Sequence, residues 1–336
     1  MGNNIEPIRK KILKINLLSL AIVLCSFCIS LIVGSSTSSL KEIIEAVFFR
    51  KNENLFDIII QIRLPRTLLA FFVGGGLSIC GAVFQSLLIN PLAEPYVLGI
   101  SSGSAFGATL ALALGFSFFT SQVFALAGAL IVMALVFFVG KRYGELEPNA
   151  LLLGGVMTGA FFSAMILIMM TSATDSFKNA IFWLMGNLSI ARYDYLYYLV
   201  PIELLSLTFF ILNSYKCNLI ALGTINAKSL GVDSRKLKNY SYFFASLLTA
   251  SIVSISGIIG FVGLIIPHMC RWLFGYDNRI SFPSSFLLGG AFLMLCDAFS
   301  RAIISPAELP VGAVTASLGA PVFIYILRKR LKSSEF

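Results

Sequence analysis

Ten mostly apolar stretches, each near membrane-spanning length, follow one another at 17–35, 66–88, 97–115, 121–140, 150–171, 194–213, 239–258, 261–275, 282–300 and 311–328. A helix rises about 1.5 Å per residue, so about 20 apolar residues cross about 30 Å of hydrocarbon. In lipid the backbone must satisfy its own hydrogen bonds, which favours helices over open sheets. Such a chain is expected to be all-α, a polytopic membrane protein of about ten transmembrane helices. Composition agrees: 12% of residues are charged and the mean hydropathy is +0.89, whereas soluble domains carry about 25% charged residues. The connections are too short for a sizeable soluble domain, so residues 1–336 read as one transmembrane domain. The segments 97–115, rich in Gly and Ser, and 261–275, short and interrupted by Pro267, carry the weakest spanning signal.

A net charge of +9 invites a nucleic-acid reading, but the basic residues lie in short loops between apolar runs, as membrane topology requires. With the N-terminus inside and ten spans, 17 of the 25 basic residues fall inside and 8 outside. That is the expected sign, and it places both termini on the cytoplasmic side. Arg9, Lys10, Lys11 and Lys14 precede the first apolar run, which lacks a clear cleavage site and reads as a retained helix rather than a signal peptide. Cys25 and Cys28 have CxxC spacing inside that run and read as a buried pair of small apolar side chains rather than a redox site. The single histidine, His268, cannot build a His-based metal cluster alone.

Gly99, Gly103 and Gly107 recur every four residues, as do Gly155 and Gly159; this spacing lets helix backbones approach closely, here within one chain. A faint repeat places Gly81 ten residues before Pro91 and Gly257 ten before Pro267. Five spans separate the copies, the arrangement of an inverted repeat.

Three islands beside the apolar runs carry more specific information. The first is Arg63-Leu64-Pro65-Arg66, followed by Gly74–Gly76, Gly81, Gln85 and Asn90-Pro91-Leu92-Ala93-Glu94-Pro95. The second is the run from Gly260 to Pro267-His268, and the third comprises Asp297, Arg301, Glu308-Leu309-Pro310, Gly312 and Gly319-Ala320-Pro321. At these residues the chain resembles the permeases of the iron-siderophore/heme/cobalamin (FecCD-type) family of binding-protein-dependent ABC importers, from about Arg63 to the C-terminus. The resemblance implies a type II ABC importer permease fold and several site roles. Arg63, Arg66 and Arg301 would be exposed guanidiniums docking an acidic binding protein, for which bidentate pairing suits Arg; the bland account is snorkelling to lipid phosphates. Asn90, Leu92 and Asn149 would belong to an inner gate, or Asn90–Pro95 is an ordinary helix-ending turn, since two prolines within it prevent a regular helix. The longest cytoplasmic loop, 214–238, would couple to an ATPase through Ala221, Leu222, Gly223, Ala227, Leu230 and Gly231, its small residues permitting close docking. The alternative is an interfacial helix on lipid.

Asp297 and Arg301, four residues apart, can pair on one helix. Glu203 is an acid in the sixth span that the resemblance does not explain; a paired, buried or snorkelling carboxylate is the plain account. No G-x-x-x-x-G-K-[ST] occurs, so the chain has no phosphate-cradling loop. No catalytic set, metal cluster or cofactor site is expected in it. The resemblance therefore implies two ATP-binding subunits that hold ATP and Mg, a periplasmic or lipid-anchored substrate-binding protein, a second permease subunit forming a homodimer, and a bacterial inner-membrane location. The implied cargo is an iron chelate such as a siderophore or heme, or a cobalamin-like molecule, with a molybdate-type oxyanion as the alternative. The rival class, an ion- or proton-coupled secondary transporter, would need Glu203 or Asp297 as a relay.

Overall fold

Each of the ten apolar stretches becomes a helix. The computed structural model describes residues 5–34, 40–142, 144–172, 181, 183–304 and 308–333. The helices are α1 (Ile5–Ile32), α2 (Leu40–Phe49), α3 (Glu53–Asp57), α4 (Leu64–Leu87), α5 (Ile100–Ala113), α6 (Phe118–Val139), α7 (Pro148–Ser172), α8 (Tyr193–Ala221), α9 (Thr224–Ser229), α10 (Ser234–Ser256), α11 (Val262–Phe274), α12 (Asn278–Ala302) and α13 (Val311–Ser333). A two-stranded antiparallel hairpin, β1 (Lys141–Arg142) and β2 (Glu145–Leu146), joins α6 to α7. Among the described residues, six helices are long and apolar enough to cross a membrane unaided.

The central element is α4, buried along most of its length and enclosed by α8, α10, α11 and α12. Its glycines make this possible: a Cβ on Gly81 would run into the backbone of Gly263 in α11, so the two helices touch main chain to main chain. The four-residue glycine spacing in α5 does the same within the chain, with Gly103 against the backbone of Gly128 in α6. By contrast α1, α6, α7 and α8 present broad apolar faces outward, as lipid-facing helices do. Cys25 and Cys28 lie exposed on α1, which corrects the expected buried pair: α1 packs against α12 by one stripe only, and these residues fall off it.

The two weakest segments are the short helices, α5 with 14 residues and α11 with 13. At about 1.5 Å per residue each spans roughly 20 Å, less than the hydrocarbon thickness. Both begin at a shared junction inside the protein. There the Phe261 N–H donates to Glu94 Oε1 (2.9 Å) and the Ile259 N–H donates to the Tyr96 hydroxyl (3.1 Å). Backbone that leaves helical geometry is thus satisfied by side chains from the other break. Pro267 does not interrupt its segment, because α11 runs through it. Nor do the copies of the faint repeat match locally: Gly81 is inside a helix, whereas Gly257, at φ +69°, ends one.

Candidate functional site: the two ends of the bundle

At the end expected to face outward, Arg63, Arg66 and Arg301 are only 4%, 5% and 4% exposed. The expectation of exposed guanidiniums is therefore corrected. The helix does not begin at Arg63: α3, a π-helical turn over Ile58–Arg63 and α4 form one run from Glu53 to Leu87, so Arg63 and Arg66 lie within it, Arg301 lies near the end of α12, and the end of α1 covers Arg63 and Arg301. Arg66 Nε donates to Asp297 Oδ1 and Oδ2 (2.9 and 3.2 Å), and its Nη1 donates to Glu308 Oε2 (2.8 Å). Arg301 Nε lies 3.1 Å from Asp297 Oδ2, and its Nη2 donates to the Ser30 carbonyl (3.0 Å). Arg63 Nη1 donates to the carbonyls of Leu31 and Ile32. Asp297 is the shared acid of this cluster and is fully buried. Glu308, whose side chain is about a third exposed, is its surface member.

The opposite end is built differently. Helix α8 continues to Ala221 and α10 starts at Ser234, so the expected loop 214–238 shrinks to a protrusion over 222–233 carrying α9. Asp233 Oδ1 accepts from the Lys236 N–H (3.0 Å) to start α10, a contact that holds its carboxyl below the usual range. Gly223 sits at φ +107°, a backbone state L side chains rarely adopt, and a Cβ there would meet little. Its lack of a side chain permits the turn into α9. Ala227 is buried and faces the bundle, correcting its expected docking role, because its backbone receives Val232 in the turn that closes α9. Ala221, Leu222, Leu230 and Gly231 are exposed. So is Ile225, which sequence reasoning missed, at 80%. Leu222, Ile225 and Leu230 form an apolar set on a short polar-flanked protrusion. Its signal was available, since Ile225 lies among polar residues where no core is near.

The residues expected at an inner gate follow α4 and open α7. Asn90 Oδ1 accepts from the Leu92 N–H (2.9 Å), an Asx-type turn, and the Leu92 side chain is exposed. Asn149 is exposed in the first turn of α7, where Glu147 Oε2 accepts from the Ala150 N–H (2.9 Å). The bases of these segments come together, since Leu88 and Leu151 line one small cavity. Nearby, Arg271 of α11 donates to Gln85 Oε1 and to the Ala82 carbonyl, both at 2.7 Å, so a residue that reads as a topology signal is a clasp on α4. His268 is half-buried, with its ring edge-on to Phe323. Glu203 is fully buried in α8 beside Gly76 of α4, and among the described residues neither carboxyl oxygen has a hydrogen-bond partner.

A bundle of apolar helices with a buried central helix, broken helices meeting in its interior and an apolar protrusion at one end is a polytopic membrane protein. The model of the FecCD transport family matches residues 22–329, and the chain belongs to that family. It is 41% identical to the ABC transporter permease protein YvrB of Bacillus subtilis, over 89% of this chain and 90% of that one. It is 38% identical to the cobalamin import system permease protein BtuC of Halobacterium salinarum, over 81% and 74%. A solved inward-facing metal-chelate type ABC transporter is similar with a TM-score of 0.84 at 33% identity, covering 94% of this chain and 99% of that one. The chain is thus a multi-pass permease subunit of an ABC importer.

Proposed function

We propose that this subunit imports a metal chelate, an iron-siderophore, heme or cobalamin-like molecule, as one of two identical permeases driven by two separate ATPase subunits. It lies in the bacterial inner membrane with both termini cytoplasmic, and an oxyanion such as molybdate is the alternative cargo. The observation that carries the reading is the set Leu222, Ile225 and Leu230 on and flanking α9. Three large apolar side chains exposed on a turn-bounded protrusion mark an interaction surface, and the ATPase, absent from this chain's own motifs, docks there. ATP-driven closure of the ATPases moves α9 and shifts the bundle between outward- and inward-open states, while the cargo biases that equilibrium by its differential affinity for them. A binding protein docks at the outer end, where its carboxylate reaches Arg66 Nη1 by displacing Glu308.

The test is retention of the co-purifying ATPase by Ile225→Asp. A buried interface anchor replaced by a charge is expected to weaken association by more than about tenfold, or 1.4 kcal/mol. Undiminished retention returns α9 to a lipid-surface helix. Ligand binding by the partner binding protein distinguishes a chelate from an oxyanion.

A further inference from the structure

The connection from α6 to α7 folds back as the β1–β2 hairpin, and three contacts fix that hairpin to its surroundings. Glu145 accepts from Lys228 of α9 at 2.9 Å. Gly144, at φ +80°, lies against the guanidinium of Arg235, which a Cβ at 144 would approach to 2.6 Å, so Arg235 rests on bare backbone at the start of α10. Leu146, buried, lines the small cavity with Phe84 and Leu87 of α4, Leu88 just after it, Leu151 of α7 and Tyr242 of α10. One end of the hairpin thus holds α9, and the other is plugged among the inner ends of three spans.

We propose that this hairpin transmits displacement of α9 to the inner ends of α4 and α7, and hence to the segments carrying Asn90, Leu92 and Asn149. The inference rests on α9 being the ATPase-docking element. The Glu145–Lys228 pair is exposed, with side-chain accessibilities of 37% and 59%; such a pair contributes little to stability. Its role is registration: it couples the hairpin to α9 while Leu146 supplies the rigid contact. Packed interiors have low compressibility and pass on a shift rather than absorb it. Leu88 immediately precedes the Ile89–Leu92 turn, and Leu151 follows Asn149 by two residues. Pushing Leu146 therefore acts on both gate segments at their roots. The covalent link is equally short, because β2 leads through Glu147 into α7, and the Glu147 N–H donates to the Gly140 carbonyl (2.9 Å) to close the hairpin.

The experiment uses the permease–ATPase complex in lipid nanodiscs. Asn149→Cys is introduced after Cys25 and Cys28, the exposed native cysteines, are changed to Ser. Its modification by a hydrophilic maleimide is timed with and without ATP plus vanadate. The ATP-dependent change in rate is expected to fall about fivefold or more, the lower end of typical coupling between sites, in Glu145→Lys with the ATPase still bound. The swap Glu145→Lys/Lys228→Glu is expected to restore it. Leu146→Ala is expected to reproduce the loss; should that variant fail to fold, the charge swap decides alone. A full response in Glu145→Lys overturns the hairpin's role, as does failure of the swap to restore the response. Loss of bound ATPase in Glu145→Lys also overturns it, since the hairpin would then be part of the docking face. These outcomes are separable from failure of the docking reading, which appears as Ile225→Asp retaining its ATPase.

Discussion

Arg66 and Asp297, 231 residues apart in sequence, meet as a buried ion pair, with Arg66 Nε and Nη2 each 2.9 Å from Asp297 Oδ1. The contact ties α4 to α12 at the end of the bundle that also holds Arg63 and Glu308. It also fixes what the neighbouring arginines can do, because Arg301 shares the same carboxylate.

Removing that carboxylate leaves the buried Arg301 without its acid and Arg66 with Glu308 alone. Breaking a buried ion pair by deleting one partner costs about 3–5 kcal/mol, so Asp297→Ala should markedly lower the unfolding temperature in detergent. Glu308→Gln removes the surface member and should cost at most about 1 kcal/mol. Equal losses in the two variants would show that Asp297 does not hold the cluster.

Gly81→Ala separates packing from helix propensity. In an exposed helix this change gains about 1 kcal/mol. Here the new methyl meets the Gly263 backbone, and overpacking of this kind costs about 1–3 kcal/mol. Thermal unfolding should therefore show a loss; a gain would mean that α4 and α11 are not in main-chain contact.

Glu203 places two carboxyl oxygens in the interior without partners among the described residues. A buried polar group left unpaired costs about 1–3 kcal/mol. Glu203→Met, similar in volume and apolar, should thus be stabilising while uptake persists. Loss of uptake with retained fold would instead make Glu203 a relay and revive the ion-coupled class. Asp297, held by Arg66 and Arg301, is not free for that task.

The inner hairpin should loosen in acid. The hydrogen bond from Lys228 holds the Glu145 carboxyl below its ordinary range, with Lys238 and Arg235 adding weaker attraction. A depressed carboxyl contributes stability above its unfolded value and loses it as pH falls through its folded value. Protection factors for the amides across residues 140–147, with the intrinsic pH dependence of exchange divided out, should fall over that acidic window in the wild type. They should stay level with pH in Glu145→Gln, and identical profiles would dismiss the Glu145–Lys228 latch.

Sequence alone determined the helical architecture. Lipid leaves a backbone no other way to satisfy itself, so ten apolar runs had to become helices, and Pro91 and Pro95 had to break the chain after α4. The islands around Arg63, Asn90 and Asp297 carried the family. Tertiary structure decided which way those residues face. Arg66 is buried because its acids come from α12 and the segment before α13, and because α3 extends the helix upstream, neither visible in a local pattern. Ala227 points inward while Ile225 points outward, a choice set by the turn that closes α9. Lys141–Leu146 reads as an ordinary polar loop until Leu146 is seen among the ends of α4, α7 and α10. Helix formation follows from nearby residues and the solvent, whereas burial and pairing depend on which distant helices pack together.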